Sequence, residues 1–279
     1  MTARRRKSLV IHILLIGSTL IFIAPVLWAI LLSFRSTPVL VSGLGSITSK
    51  EMTVENYTTL FTEYNTLRFI MNSLVAAGIP AVIAVAVGLV GGYSIVRFRH
   101  RGATAFRSMP LFAQVVPAIL IVIPLYSIML FAGLLNTYVA IILAHTALVL
   151  PLAVWMMAGY LQAIPFEIEE AAMVDGCSRL GAVVRVLLPV SLAGVAATAM
   201  VAFVGAWGEF LFGFVLLSGD AKRLMSVAVF LFLPSGQTPT TWGLLFAAAV
   251  TFMVPSLLLF PVLQRLIAKG TTAGSLQGV

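Results

Sequence analysis

The side chains of this chain that could do chemistry fall into two groups. The first is an acid and an imidazole set in strongly apolar surroundings, Glu209 in the run Trp207, Gly208, Glu209, Phe210 and His145 in another run. A carboxylate and an imidazole are the parts of a general acid and base. An enzyme built on them would also need a nucleophile or a metal-ligand set, and no HExxH or GxSxG occurs. His145 reads as a helix-packing residue, because no acid lies near it in sequence. The second group is a polar block from residue 167 to residue 189, which gathers Glu167, Glu169, Glu170, Asp175, Arg179 and Arg185 between apolar stretches. Charges of this density suit docking to another protein.

The block has the signals of helix, turn and helix. Pro165 takes an early position, and Glu167, Glu169 and Glu170 sit near the positive end of the first helix dipole. Gly176 can end that helix. Ser178 can cap a second one running towards Val186, with Arg179 and Arg185 supplying the opposite charge. Ala172 and Gly176, four residues apart, share a face that another backbone could approach, and Glu170 offers a carboxylate to a basic partner. An ordinary amphipathic connector whose acids cap a helix would read the same way.

The elements that must position these residues are membrane-spanning. The chain has 279 residues, 61% hydrophobic and only 9% charged, whereas soluble globular proteins carry about a quarter charged residues. Between Arg107 and Glu167 no Asp, Glu, Lys or Arg occurs, room for two crossings at about 20 residues each. Six spans are expected, Leu9 to Leu32, Phe69 to Ile95, Met109 to Phe131, Tyr138 to Ala158, Val190 to Leu217 and Trp242 to Ile267. Each must be helical to satisfy its backbone in lipid. Arg4, Arg5, Arg6 and Lys7 precede the first span as in a signal peptide, but the span is too long and lacks a small-residue cleavage site. The organisation read from this is a short N-terminus at 1–8, a six-helix domain at 9–267 that includes the polar loop 159–189, and a tail at 268–279.

Orientation follows from the basic residues, which favour the cytoplasmic side. The N-terminal cluster and Arg97, Arg99, Arg101 and Arg107 place both termini inside, and the polar block with them. The net charge of +8 is then explained by topology and anionic lipid headgroups rather than by nucleic acid, for which no binding module is present.

The pattern Glu170, Ala171, Ala172, three residues, Gly176, nine residues, then Val186, Leu188 and Pro189 resembles the cytoplasmic loop of bacterial ABC importer permeases. Further segments resemble the MalG-like carbohydrate branch of that family: Asn56 and Tyr57; Trp207, Gly208, Glu209 and Phe210; Trp242, Gly243, Leu244 and Leu245; then Pro255, Phe260 and Gln264. Two positions depart from its pattern, Gly208 where the family usually has Asn and Gln277 where its tail commonly has Lys.

The resemblance implies an all-α polytopic permease of the type I importer fold, in the inner membrane of a bacterium, whose polar block is a coupling helix seated in an ATPase subunit. Glu167, Glu170, Ala171, Ala172, Asp175, Gly176, Ser178 and Arg179 would form that interface. The expected complex holds two ATP-binding subunits, this permease, a second homologous permease and an extracytoplasmic sugar-binding protein. The chain lacks a GxxxxGK[ST] phosphate loop, so ATP and Mg2+ are expected in the partner ATPase and no cofactor or metal in this chain, which is then not itself an enzyme. The cargo would be a carbohydrate, a di- or oligosaccharide, with a polyol or glycerol phosphate as the alternative. A secondary transporter would instead predict ATP-independent flux.

Within this reading Trp207, Glu209 and Asn72 are candidates for the translocation path. Glu209 would hydrogen-bond sugar hydroxyls beside a stacking Trp207, or else form a buried helix-to-helix hydrogen bond, since a charge at a helix centre costs about 2.5–3.5 kcal/mol on insertion and must face protein or water. Asn72 would face the pore or satisfy local polar groups. Gln277 and Gly278 are candidates for contact between the tail and the ATPases. Gly88 and Gly92 form a small-xxx-small pair expected at a close helix crossing. The single Cys177 reads as a small tolerated side chain.

Overall fold

The computed structural model describes residues 3–41, 52–98, 115–233 and 242–274, and among them every regular element is helical. The predictions on Arg99, Arg101, Arg107, Gln277 and Gly278 lie outside the described residues, as does the start of the third span. The elements are α1 (Ala3–Ser33), α2 (Thr37–Val41), α3 (Glu55–Thr62), α4 (Thr66–Arg97), α5 (Ala118–Phe131), α6 (Tyr138–Gln162), α7 (Glu167–Val174), α8 (Arg179–Val190), α9 (Leu192–Trp207), α10 (Leu211–Leu216), α11 (Met225–Leu231) and α12 (Trp242–Gly274).

Four of these helices carry stretches long and apolar enough to cross a bilayer: Ile11–Ser33, Thr66–Arg97, Tyr138–Gln162 and Trp242–Arg265. They coincide with the first, second, fourth and sixth predicted spans. The 14-residue α5 matches the second half of the third. The fifth differs: instead of one rod over 190–217, α8 and α9 meet at a 73° bend at Ser191, and the helix stops at Trp207 before α10 begins. The bend has a local cause. Pro189 has no N–H to give to Arg185, and the backbone widens into a π turn over Val183–Leu187, with the Leu188 N–H bonded to the Val183 carbonyl.

The chain divides into two compact units, one of residues 1–67 with 228–253 and the other of 68–227 with 254–279. In the first, the Asn56 side chain donates to the Ser33 and Arg35 carbonyls, both at 2.8 Å, and the Tyr57 hydroxyl meets Ser33 Oγ at 2.7 Å, tying α3 to the end of α1. A Cβ at Gly243 would lie 2.6 Å from the Arg35 carbonyl oxygen and 2.6 Å from Asn56 Oδ1, so only glycine fits. The motif residues Asn56, Tyr57 and Gly243 are therefore one joint. Along α1 the apolar side chains are exposed all round, among them Ile13, Leu14, Ile21 and Phe22, as suits a helix whose solvent is lipid or another membrane chain.

The second unit is built on the crossing of α4 with α6. A Cβ at Gly88 would touch the Ala153 carbonyl oxygen at 3.0 Å, and one at Gly92 would lie 2.7 Å from the Ala158 nitrogen. The paired glycines thus let two backbones meet, as their spacing predicts. One apolar cluster joins α5, α6, α10 and α11 through Val122, Met129, Ile141, Phe212 and Val227. A second, of Met157, Leu161 and Leu187 with Leu89, Tyr93 and Val195 around it, lies against the polar block.

Candidate functional site

The polar block folds as helix, turn and helix. Its acids Glu167, Glu169 and Glu170 occupy the first turn of α7, where unpaired N–H groups and the helix dipole favour negative charge. The helix begins after Pro165 rather than on it. Its end is fixed by Gly176, whose φ of +89° is open to glycine at little cost. There the Cys177 N–H reaches the Ala172 carbonyl at 3.0 Å and the Gly176 N–H the Met173 carbonyl at 3.1 Å, a Schellman ending. Ser178 caps α8, its Oγ accepting from the Gly181 N–H at 3.1 Å.

The helix has two faces. Glu167, Glu170, Ala171, Asp175 and Gly176 are exposed, together with Ser178 and Arg179. Ala172 is not: it is buried on the same side as Glu169, so it packs inside this chain and does not form a shared docking face with Gly176. The exposed side of the block also carries apolar side chains that the charge pattern did not single out, Val174 on α7 at 87% exposure and Leu180 on α8 at 73%. Helical spacing was the available signal, since Val174 lies one turn beyond Glu170 and two beyond Glu167.

Glu169 is 1% exposed and was not among the predicted site residues. Its Oε1 lies 2.6 Å from Arg97 Nε, and its Oε2 accepts from the Tyr93 hydroxyl at 2.9 Å. The Arg97 Nε–H is not aimed at the oxygen, so the pair is an ion contact without hydrogen-bond alignment. The same guanidinium donates from Nη2 to the Ile164 carbonyl at 3.0 Å and lies over the Phe166 ring at 5.3 Å. The last turn of α4 is thereby bound both to the segment leading into α7 and to α7 itself.

A second, partly buried acid is answered differently. Glu209 stands in the break between α9 and α10, and its carboxylate accepts from the Phe212 N–H at 2.9 and 3.0 Å and from the Gly213 N–H at 3.3 Å. It caps the start of α10. Its Oε2 also meets His145 Nε2 at 3.2 Å, while His145 Nδ1 lies 2.7 Å from the Ala76 carbonyl. A carbonyl can only accept, so the bond to Ala76 is donated by Nδ1. The Ala76 carbonyl is available because Pro80, four residues on in α4, has no N–H to offer it. Three helices are thus linked through one polar chain, and His145 has the acidic partner that its sequence neighbours lacked.

Residues 84–273 match the family described as binding-protein-dependent transport system inner membrane component. The chain belongs to this permease family. It is 33% identical over 91% of its length to the diacetylchitobiose uptake system permease protein DasC of Streptomyces coelicolor, of which 91% is covered. It is 30% identical over 95% of its length to the trehalose/maltose transport system permease protein MalG of Thermococcus litoralis, of which 96% is covered. In fold it resembles a chain of a bacterial ABC transporter that imports the acidic polysaccharide alginate, with a TM-score of 0.74 at 19% identity, covering 95% of this chain and 98% of that one. The protein is accordingly an all-α, multi-pass membrane permease.

None of the three residues predicted for a translocation path stands free in this permease. Asn72 is buried, donates from Nδ2 to the Ala221 and Arg223 carbonyls at 3.1 and 2.9 Å, and accepts from the Tyr138 hydroxyl at 2.7 Å. Trp207 is 3% exposed and stacks on Phe203 with ring centres 5.6 Å apart. Glu209 is occupied as a cap. Asn72 and Glu209 hold helices together, the structural alternative raised for both, while Trp207 stacks within its own helix. A groove of about 580 Å³ runs instead between α5, α6 and α9, walled by Ile121, Leu125, Leu148, Leu152 and Val201. Among the described residues its one side-chain hydroxyl, on Thr198, is turned to Met157 Sδ at 3.4 Å.

Proposed function

We propose that this permease imports a carbohydrate of di- or oligosaccharide size and is driven by ATPase subunits that seat α7. The observation that carries the coupling half is the exposed face of α7: Glu167, Glu170, Ala171 and Val174 project outward on a short helix whose other face is fastened into the protein. An acidic and apolar ridge of this kind suits a cleft with basic rims. The carbohydrate half is supported by relatives named for diacetylchitobiose and for trehalose/maltose.

In this reading the termini and α7 face the cytoplasm, two ATPase subunits bind ATP and Mg2+, and a second homologous permease completes the path. An extracytoplasmic binding protein delivers the sugar. The apolar walls of the groove offer little to sugar hydroxyls, which fits specificity residing in the binding protein and the second permease.

The test is reconstitution of the complex with Glu170→Lys or Gly176→Asp. Each variant is expected to insert normally and to lose ATP-driven uptake together with retention of the ATPase on purification. Wild-type uptake by either would remove α7 from the coupling role. Binding calorimetry of the partner binding protein against a panel of sugars, polyols and glycerol phosphates identifies the cargo, and tight binding of a non-carbohydrate alone would overturn that half.

A further inference from the structure

Docking of α7 explains where force would arrive, and it leaves open how the force would leave a helix only eight residues long. A short helix between two turns would tilt in place unless something fixes it to a membrane-spanning element. The cluster under its buried face does this. Glu169 on α7 is held by Arg97 and Tyr93, which lie four residues apart on one face of the last turns of α4. Arg97 also holds the Ile164 carbonyl and covers Phe166, fixing the approach to the helix. We propose that Glu169, Arg97 and Tyr93 are positioning residues that make α7 and the inner end of α4 one rigid lever, so that displacement of α7 reaches the 32-residue α4 directly. The proposal rests on the reading that α7 is the ATPase-docking helix.

Three features favour a lever over simple filling of space. The acid is fully buried although the nearby acids Glu167 and Glu170 are exposed, so it is placed at the cost of desolvation. Its two oxygens take different partners from the same helix, which fixes direction as well as distance. A carboxylate beneath an otherwise apolar helix face also permits one register only, because a slide along α4 would strand it away from its cation.

The test compares wild type, Glu169→Gln, Glu169→Asp and Tyr93→Phe in the complete complex, assembled in vesicles with its ATPase, partner permease and binding protein. Complex yield, ATP hydrolysis and sugar uptake are measured on the same samples. Glu169→Gln is expected to retain the ATPase and to lower sugar moved per ATP about tenfold, within the range of measured coupling energies. Glu169→Asp should recover most of that loss, and Tyr93→Phe, which removes the hydroxyl but leaves the Arg97 ion contact in place, should show a smaller fall of the same kind. Unchanged sugar per ATP in Glu169→Gln overturns the proposal. So does a proportional fall of yield, hydrolysis and uptake at constant sugar per ATP, the signature of a merely structural pair. Should Glu169→Gln fail to assemble, Tyr93→Phe decides alone, and a wild-type ratio there overturns it. Glu170→Lys is run beside them: if it keeps the ATPase and full uptake, the docking reading itself has failed, an outcome distinct from failure of the lever.

Discussion

Glu169 and Glu209 are both acids held inside the protein, and the chain answers them in opposite ways. Glu169 faces a full opposite charge, with Arg97 7% exposed and the acid 1%. Glu209 faces dipoles: two backbone N–H groups at the start of α10 and the His145 imidazole at 3.2 Å. The first arrangement depends on charge, because either partner alone would be an uncompensated ion in a poorly solvated place. The second depends on hydrogen-bond geometry, and a neutral side chain of the same shape can reproduce it. Charge is used at the end of α4 beside the polar block, and dipoles are used within the apolar span.

The largest effect expected from this contrast is at the ion pair. Arg97→Met retains the length of the side chain and leaves Glu169 buried without a cation, which costs about 3–5 kcal/mol. Thermal unfolding of the purified protein should show a large drop in midpoint and reduced yield. A midpoint close to wild type would mean that water reaches Glu169 and that the two acids are not solved differently after all.

The next effect separates shape from charge at Glu209. Glu209→Leu removes the acceptor shared by Phe212, Gly213 and His145, for a loss of about 2–4 kcal/mol. Glu209→Gln keeps an oxygen for the amides and an NH2 group to donate to His145 Nε2, and should cost under about 1 kcal/mol. Both variants are compared with wild type by thermal unfolding and by uptake. Uptake lost in Glu209→Gln at full stability would return Glu209 to the translocation path.

The sequence made the spans legible, because a hydropathy of this size requires helices in lipid, and α1, α4, α6 and α12 fall where composition places them. Local signals were equally readable: Gly176 and Ser178 end and start their helices as their types predict. What escaped was pairing across distance. Nothing near His145 announces Glu209, and Glu169 looks like one more dipole acid until Arg97 is brought beneath it. A partial signal did exist in Pro80, whose missing N–H obliges some donor to find the Ala76 carbonyl. The break after Trp207 was hidden because Leu211–Leu216 continues the apolar run, and hydropathy does not register a change of direction.

The smallest effect concerns the joint that Glu209 caps. Gly208 ends α9 at φ −79°, ψ −5°, in ordinary right-handed backbone, and a Cβ there would meet only the Val204 carbonyl oxygen at 3.4 Å. Unlike Gly92 or Gly243, where backbone or a motif side chain stands in the way, this glycine is required by neither conformation nor space. Gly208→Ala should therefore be neutral or stabilising by about 0.4–1 kcal/mol, through loss of freedom in the unfolded chain. Gly208→Asn, which restores the residue usual in the resembling carbohydrate permeases, should be accommodated as well. Uptake measured beside thermal unfolding then decides whether the joint moves. If Gly208→Ala raises stability and leaves uptake unchanged, the Glu209 cluster is a static cap, and motion is left to elements such as the α4 and α7 lever. A stabilised protein with reduced uptake would instead show that the break between α9 and α10 bends during transport, and that Glu209 was given dipoles rather than a full charge because its contacts must be released and remade.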